Sequence, residues 1–302
     1  MATTPITAFS DHELRQPPAE PHHKLFGARV TRVENVAEAL LRITVEAGEI
    51  QHWQLTGPDE FFGLVMPPAH IAASPELFTR LVRHPRPEKA NLRSALQAIP
   101  SSERPELRWY TVRHFDAQRG LLEFDVATHG VTRKTLDLCE PGTVGPGLRW
   151  ALHASPGDLV GIFTARALWH RRWDRQLLVA DASSLPSVFA IADFLRALHP
   201  DALQSIRMVA TVENDRDVEH EALEQLRAHA GHVDVLHAPI PRQALTVIEH
   251  LQQHDDQIPD YVWVAGEGEL CKSVRGLAVK DWGLESEAVY WCPYWYKGRP
   301  RP

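Results

Sequence analysis

The chain is expected to fold as two unlike halves, an N-terminal antiparallel β-barrel followed by an α/β domain built on a parallel sheet. From Leu25 onward, short runs alternate apolar and polar residues with period two, the mark of half-buried strands. From Arg175 onward, apolar strands alternate with helical stretches whose apolar residues recur every three or four positions, which predicts a parallel sheet with helices on both faces. The 302 residues are enough for two domains of ordinary size. The expected division is an arm over 1–24, a barrel over 25–172 and an α/β domain over 173–302.

The arm is polar and interrupted by Pro17, Pro18 and Pro21, so it is expected to be extended or disordered. His22 and His23 on it read as solvated side chains rather than metal ligands. Strands are expected at 26–33, 40–45 and 60–66, the last stopped by Pro67 and Pro68. Residues 69–106 read as an insert packed on the barrel surface in preference to a substrate lid. Ser74 and Pro75 cap a helix carrying Leu77, Phe78, Leu81 and Val82, and a second short helix is expected over 90–98. Strands follow at 108–113 and 123–130. A Gly145-Pro146-Gly147 turn then opens a helix over 148–154, and a strand at 158–164 closes the barrel. In the loop 165–172, Trp169, His170, Arg171 and Arg172, with Trp173 just beyond, suit either a docking face for an anionic aromatic chelate or a solvated linker.

In the second half, strands are expected at 176–180, 206–212, 233–236, 261–265 and 288–291. Helices are expected at 185–198, 219–229, 242–253 and 269–279. The Gly-x-Gly-x-x-Gly fingerprint is missing, but open α/β sheets bind ligands at the carboxyl ends of their strands. Two loops at those ends stand out, 181–186 and Gly266-Glu267-Gly268. His220, Glu224, His229 and His232 read as a solvated helical face.

Composition narrows the function. With 44% hydrophobic and 24% charged residues, the chain has the make-up of a soluble globular protein. A net charge of −7 argues against a general nucleic-acid binder. Cys139, Cys271 and Cys292 are too sparse for a disulfide scaffold, a zinc ribbon or an iron–sulfur site, and no metal centre is expected. No signal peptide or bilayer-spanning run is visible, so a cytoplasmic protein is expected.

The chemistry centres on Arg108-Trp109-Tyr110-Thr111-Val112-Arg113. The Arg fork can hold a pyrophosphate, the Tyr ring can lie against a flat heterocycle, and the Thr hydroxyl can bond a ring nitrogen that gains and loses a proton. On a strand Arg108 and Tyr110 share one face and Thr111 the other. By itself the run also suits an ordinary edge strand.

Its company is more specific. Arg108-Trp109-Tyr110-Thr111, His129-Gly130, Gly145 to Ala151 ending in Pro156-Gly157-Asp158, Asp181 to Pro186, Trp263 to Glu267 and Tyr294 to Gly298 occur in that order. The series resembles the siderophore-interacting protein family of FAD-dependent ferric-chelate reductases, relatives of ferredoxin-NADP reductase, from about Leu25 to Gly298. The resemblance implies FAD with NADPH or NADH as cofactors, a ferric siderophore as substrate, and in some members ferredoxin as electron donor. It places Arg108 on the FAD pyrophosphate or ribityl region, Tyr110 on the isoalloxazine and Thr111 near N5, these last two carrying catalysis by position, with Val112 completing the cofactor strand. His129 and Gly130 would touch the flavin, and Gly145, Gly147 and Leu148 would offer amides to its pyrophosphate. Asp181, Ser183 and Ser184 would face the reduced nucleotide, Gly266 and Glu267 the nicotinamide, and Trp295 would cover the ring. Arg113, Arg171, Arg172, Lys297, Arg299 and Arg301 are the expected cations for an anionic chelate. The chain departs from the family in its long link, 131–144, before the Gly-Pro turn. Glu213, Asn214 and Asp215 favour NADH by charge, whereas Arg216 leaves NADPH open. A siderophore carrier without reductase activity and a general flavin reductase or electron-transfer protein are the competing readings.

Overall fold

The computed structural model describes residues 14–18, 23–68, 92–140, 143–170, 174–254 and 258–298. The first sheet holds β1 (Leu25–Ala37), β2 (Leu40–Glu46), β3 (Phe61–Met66), β4 (Glu106–Thr111), β5 (His114–Asp116), β6 (Leu121–Ala127) and β7 (Leu159–Thr164). Their order is β4-β3-β7-β1-β2-β6-β5, with antiparallel pairing throughout. The sheet curls on itself, and just past β4 the Arg113 amide donates to Glu123 O of β6 at 2.8 Å. This closes the barrel.

Alternation fills the barrel. On β2, Ile43 and Val45 turn inward with Phe62, Leu64, Phe124 and Ile162 from the other strands. Trp53 meets Phe26, Phe62 and Phe115 edge-on at centroid distances of 6.3, 6.4 and 5.6 Å. Each such buried side chain contributes roughly 1.5–3 kcal/mol. Among its described residues this half carries the α-helices α1 (Leu92–Gln97) and α2 (Pro146–His153). The expected helix at 74–82 lies outside the described residues, and α1 carries the described part of the second.

The second sheet contains β8 (Gln176–Asp181), β9 (Ile206–Val212), β10 (His232–His237), β11 (Tyr261–Glu267) and β12 (Val289–Trp295), in the order β10-β9-β8-β11-β12 and wholly parallel. Its helices are α3 (Leu185–Leu198), α4 (Pro200–Gln204), α5 (His220–His229), α6 (Ile240–Gln252) and α7 (Gly268–Gly276). Successive residues of β8 face opposite layers. Leu178 and Ala180 join Val188 and Ile191 of α3, while Leu177 and Val179 join Val247 of α6 and Val274 of α7.

Four expectations need correction. The arm is not free where it is described. Leu14 is 2% exposed in the core of the second sheet, and His23 and Lys24 bond Thr164 at 2.8 Å each. His22 lies outside the described residues. The loop 165–170 is neither a docking face nor a solvated linker: Trp169 is fully buried, with its indole N–H donating to Gln176 at 2.8 Å, and His170 is buried too. The amides of Leu168 and Trp169 both donate to Asp59, a carboxylate wholly inside the protein. Strand β6 stops at Ala127, because His129 and Gly130 adopt φ of +51° and +75°. The last strand, expected to end at 291, runs on to Trp295, so that residue belongs to the sheet.

Candidate functional site

The β3–β4 register opposes Phe62 to Tyr110 and Leu64 to Arg108. Trp109, between them, turns the other way and packs edge-on against Phe61 and Phe163. Arg108 and Tyr110 therefore share a face, and there they meet the first turn of α2. A Cβ on Gly147 would stand 2.5 Å from the Tyr110 hydroxyl and 3.0 Å from Arg108 Cγ. Only glycine lets the helix start sit this close to the strand. The Tyr110 ring lies 5.1 Å from Phe124, and burial pushes its phenol up to about 12.

Polar capacity is left over here. The Arg108 side chain is 38% exposed and bonds only through Nη1, to Leu107 O at 2.6 Å and Glu106 at 3.2 Å. Its Nε and Nη2 have no hydrogen-bond partner among the described residues. Helix α2 starts from Gly145 with Pro146 at its first position and no side-chain cap, so the amides of Gly147 and Leu148 lack helical acceptors. A guanidinium with spare donors beside a helix N-terminus is a cradle for a pyrophosphate. These residues fit FAD.

Thr111 faces the other half of the molecule. Its Oγ1 lies 2.7 Å from Ser187 Oγ of α3 and 3.5 Å from the Tyr294 hydroxyl of β12. The two residues that follow it, just past β4, are not where the sequence puts them. Val112 is a core residue of the barrel whose amide is taken by Glu60 O, so neither its side chain nor its N–H is turned to a cofactor. Arg113 is buried, donates to Asp193 of α3 at 2.8 Å, stands 3.8 Å from Glu219 and lies over the Phe189 ring. It is a tie between the halves and not a substrate cation. Arg42 lies beside it, bidentate on Asp125 at 2.7 and 2.8 Å and bonded to Glu219 at 2.8 Å. Burial works against the Arg42 charge, but Asp125 and Glu219 outweigh it and hold the guanidinium protonated. Sequence reasoning missed this network, since its partners lie 83 and 177 residues apart.

The nucleotide-side residues do assemble. Asp181 ends β8 with its carboxylate buried; Oδ1 accepts from Ser183 N at 2.9 Å and Ser183 Oγ at 2.6 Å. Oδ2 accepts from Glu267 N at 2.7 Å and from the Trp295 indole at 2.9 Å. Gly266, at φ +135°, could not carry a side chain, because its Cβ would stand 2.6 Å from Asp181 Cγ. Ser184 Oγ accepts from Asp181 N and donates to Ala265 O at 2.8 Å. The ends of β8, β11 and β12 are thus tied through one carboxylate. Asp181 and Ser184 were expected to face a nucleotide, but their polar atoms are spent on this bracing. Glu267 accepts Glu269 N at the start of α7 and Lys297 N at 3.2 Å. Trp295 reaches back to the barrel, its ring 5.8 Å from exposed His129. Gly130 has open space where a Cβ would be. Lys297 is exposed; Arg171, Arg172, Trp173, Arg299 and Arg301 lie outside the described residues.

Among the described residues no helix is long and apolar enough to cross a membrane, and no cluster of His, Cys, Asp and Glu could hold a metal ion.

Comparison with known proteins bears on the family and the fold. A family model described as a siderophore-interacting FAD-binding domain matches residues 29–168, and one described as siderophore-interacting protein matches 173–298. Ferric vibriobactin reductase ViuB of Vibrio cholerae is 27% identical over 221 residues, covering 69% of this chain and 71% of that protein. Among solved structures, a siderophore utilization protein from T. fusca superposes with a TM-score of 0.68 at 23% identity, over 94% of this chain and 97% of that one. The siderophore-interacting protein SipS from Aeromonas hydrophila gives 0.64 at 20% identity, over 91% and 100%. The chain belongs to the siderophore-interacting protein family and has its two-part fold, an FAD-binding barrel followed by a parallel α/β sheet.

Proposed function

We propose that this chain is a ferric-siderophore reductase that binds FAD on its barrel, residues 25–172, and takes electrons from NAD(P)H docked on residues 173–302. The observation that carries the reading is the seat at Gly147, where missing side-chain bulk brings α2 against Arg108 and Tyr110 beside unpartnered donors. Bound flavin supplies the means to accept an electron pair and release single electrons.

The protein's part is placement. Arg108 and the amides of Gly147 and Leu148 hold the pyrophosphate. Tyr110 lies against the ring and stays protonated at physiological pH. Thr111 sits at the ring's edge, and His129, Gly130 and Trp295 bound the cleft on the far side. The braced ends of β8 and β11 form the floor for the nicotinamide, with Ser183 and Gly266 at its surface. Iron(III) in its chelate is the substrate; Lys297 offers it a cation, and reduction weakens the hold of hard oxygen ligands on the metal.

NADH is the preferred donor in this reading. The acids Glu213 and Asp215 stand at the carboxyl end of β9, where a 2′-phosphate would come. Arg216, the one cation among them, is turned to Glu38 of the barrel at 3.2 Å.

The reading is tested by purifying the protein with FAD, adding NADH without oxygen, and trapping iron(II) from ferric siderophores with a coloured chelator. Bleaching of the flavin band followed by chelator colour supports it. Flavin bleached by NADH with no iron(II) from any chelate would make the protein a general flavin reductase, and affinity for ferric siderophore without flavin would make it a carrier.

A further inference from the structure

The Thr111 hydroxyl is one of three where the halves meet. Thr111 Oγ1 lies 2.7 Å from Ser187 Oγ, and Ser187 Oγ lies 2.9 Å from the Tyr294 hydroxyl. The third side, Thr111 to Tyr294, is 3.5 Å, the outer limit of a hydrogen bond. Ser187 is fully buried and Thr111 nearly so.

Three hydroxyls have three protons to place, and the strongest donor sets the direction. A phenol gives up its hydrogen more readily than an aliphatic alcohol. Burial raises the Tyr294 phenol far above its ordinary range, so it keeps its proton. Tyr294 then donates to Ser187 and Ser187 donates to Thr111. Thr111 closes no good third bond, so its own proton points out of the trio.

We propose that Ser187 and Tyr294 are positioning residues that fix Thr111 as a hydrogen-bond donor toward the bound flavin and so favour the flavin's oxidised form. This rests on the reading that FAD lies beside Tyr110 and Thr111. A flavin ring nitrogen without a proton accepts from Thr111. Once that nitrogen carries hydrogen, Thr111 must turn and accept. Accepting there has a cost either way: Thr111 keeps its bond from Ser187 and leaves its own proton unmet, or the trio reverses, with Thr111 donating to Ser187 and Ser187 to Tyr294, and the partly buried phenol loses its acceptor. Unmet hydrogen bonds in a buried site are costly. The tendency of the flavin to stay oxidised is thus set by two residues that belong to the α/β half.

The test is the midpoint potential of FAD bound to the full chain, read by anaerobic titration against a reference dye. It compares the unaltered protein with Tyr294→Phe, Ser187→Ala, Thr111→Val and the Tyr294→Phe/Thr111→Val pair. Tyr294→Phe and Ser187→Ala are each expected to shift the equilibrium about tenfold toward reduced flavin, about 30 mV more positive for a two-electron couple. In the Thr111→Val background Tyr294→Phe should add nothing. Ser187→Ala and Tyr294→Phe proteins that bind FAD at the unaltered potential would overturn the proposal, as would a Tyr294→Phe shift that persists without the Thr111 hydroxyl. Those outcomes leave FAD binding itself standing. An unaltered chain that binds no FAD would instead overturn the functional reading and this proposal with it.

Discussion

The two clusters of candidate residues differ in what they do with their polar atoms. At the barrel face, Arg108 keeps donors in reserve and α2 starts without a cap. At the strand ends of the second sheet, both oxygens of Asp181 are filled from three segments of chain. Both clusters combine glycine, a charge and an aromatic ring, so residue type does not tell them apart. Spare hydrogen-bonding capacity does: in the proposed reading the first receives a ligand, while the second holds three strands together.

Substitutions should separate the two. The largest effect is expected at Asp181. Asp181→Ala takes the acceptor from four donors in a partly buried site, where an unmet donor costs up to about 1–3 kcal/mol, so thermal unfolding should show a loss on the order of 3–5 kcal/mol. If Asp181 were instead a mere ligand-facing group, the melting temperature would hardly move.

Arg108→Ala should do the reverse. The fold loses one half-exposed side chain and stays near its original melting temperature. FAD affinity, read by fluorescence titration, should fall by about 1.5–3 kcal/mol, on the order of tenfold to a hundredfold. Equal affinity would remove the pyrophosphate role.

A smaller effect concerns pH. Burial raises Asp59 to about 6 and Glu60 to about 8. Both folded-state values lie above those of the unfolded chain, about 3.9 and 4.3. The native state therefore holds extra protons over this window. The stability they contribute is complete below about pH 4 and is lost as pH rises through 6 and then 8. Glu60→Gln should flatten the fall of melting temperature between pH 6 and 9, measured by scanning calorimetry.

The smallest change is expected at Arg216. Its pair with Glu38 is exposed on both sides and is worth at most about 1 kcal/mol. Arg216→Ala should leave the KM for NADH within about twofold. A large rise in the KM for NADPH would show that the side chain leaves Glu38 to meet a 2′-phosphate.

Local pattern made much of this legible in the sequence. Alternation along β4 placed Arg108 and Tyr110 on one face, and the change of period near Arg175 announced the second sheet. What stayed hidden was long-range. Arg113 reads as a surface cation until Asp193, 80 residues on, comes against it. Trp169 looks like a loop aromatic until the core of the second sheet closes around it. Asp181 resembles a ligand residue because its partners Glu267 and Trp295 lie 86 and 114 positions away. Ser187 carried no local signal, and Tyr294 stood out only as part of the run from Tyr294 to Gly298, since a hydroxyl on a helix and one on a strand have no stated role until Thr111 lies between them.

The claim on which the rest depends is that the flavin dinucleotide beds where α2 presses on Arg108 and Tyr110. Titrating FAD into the unaltered protein and into Gly147→Val, with melting temperatures recorded alongside, tests it most directly. Saturable quenching of FAD fluorescence by the unaltered chain, and loss of at least about tenfold in affinity with Gly147→Val still folded, is the expected result, since a side chain there must push the helix off the strand. Unchanged affinity in a folded Gly147→Val protein would contradict the account.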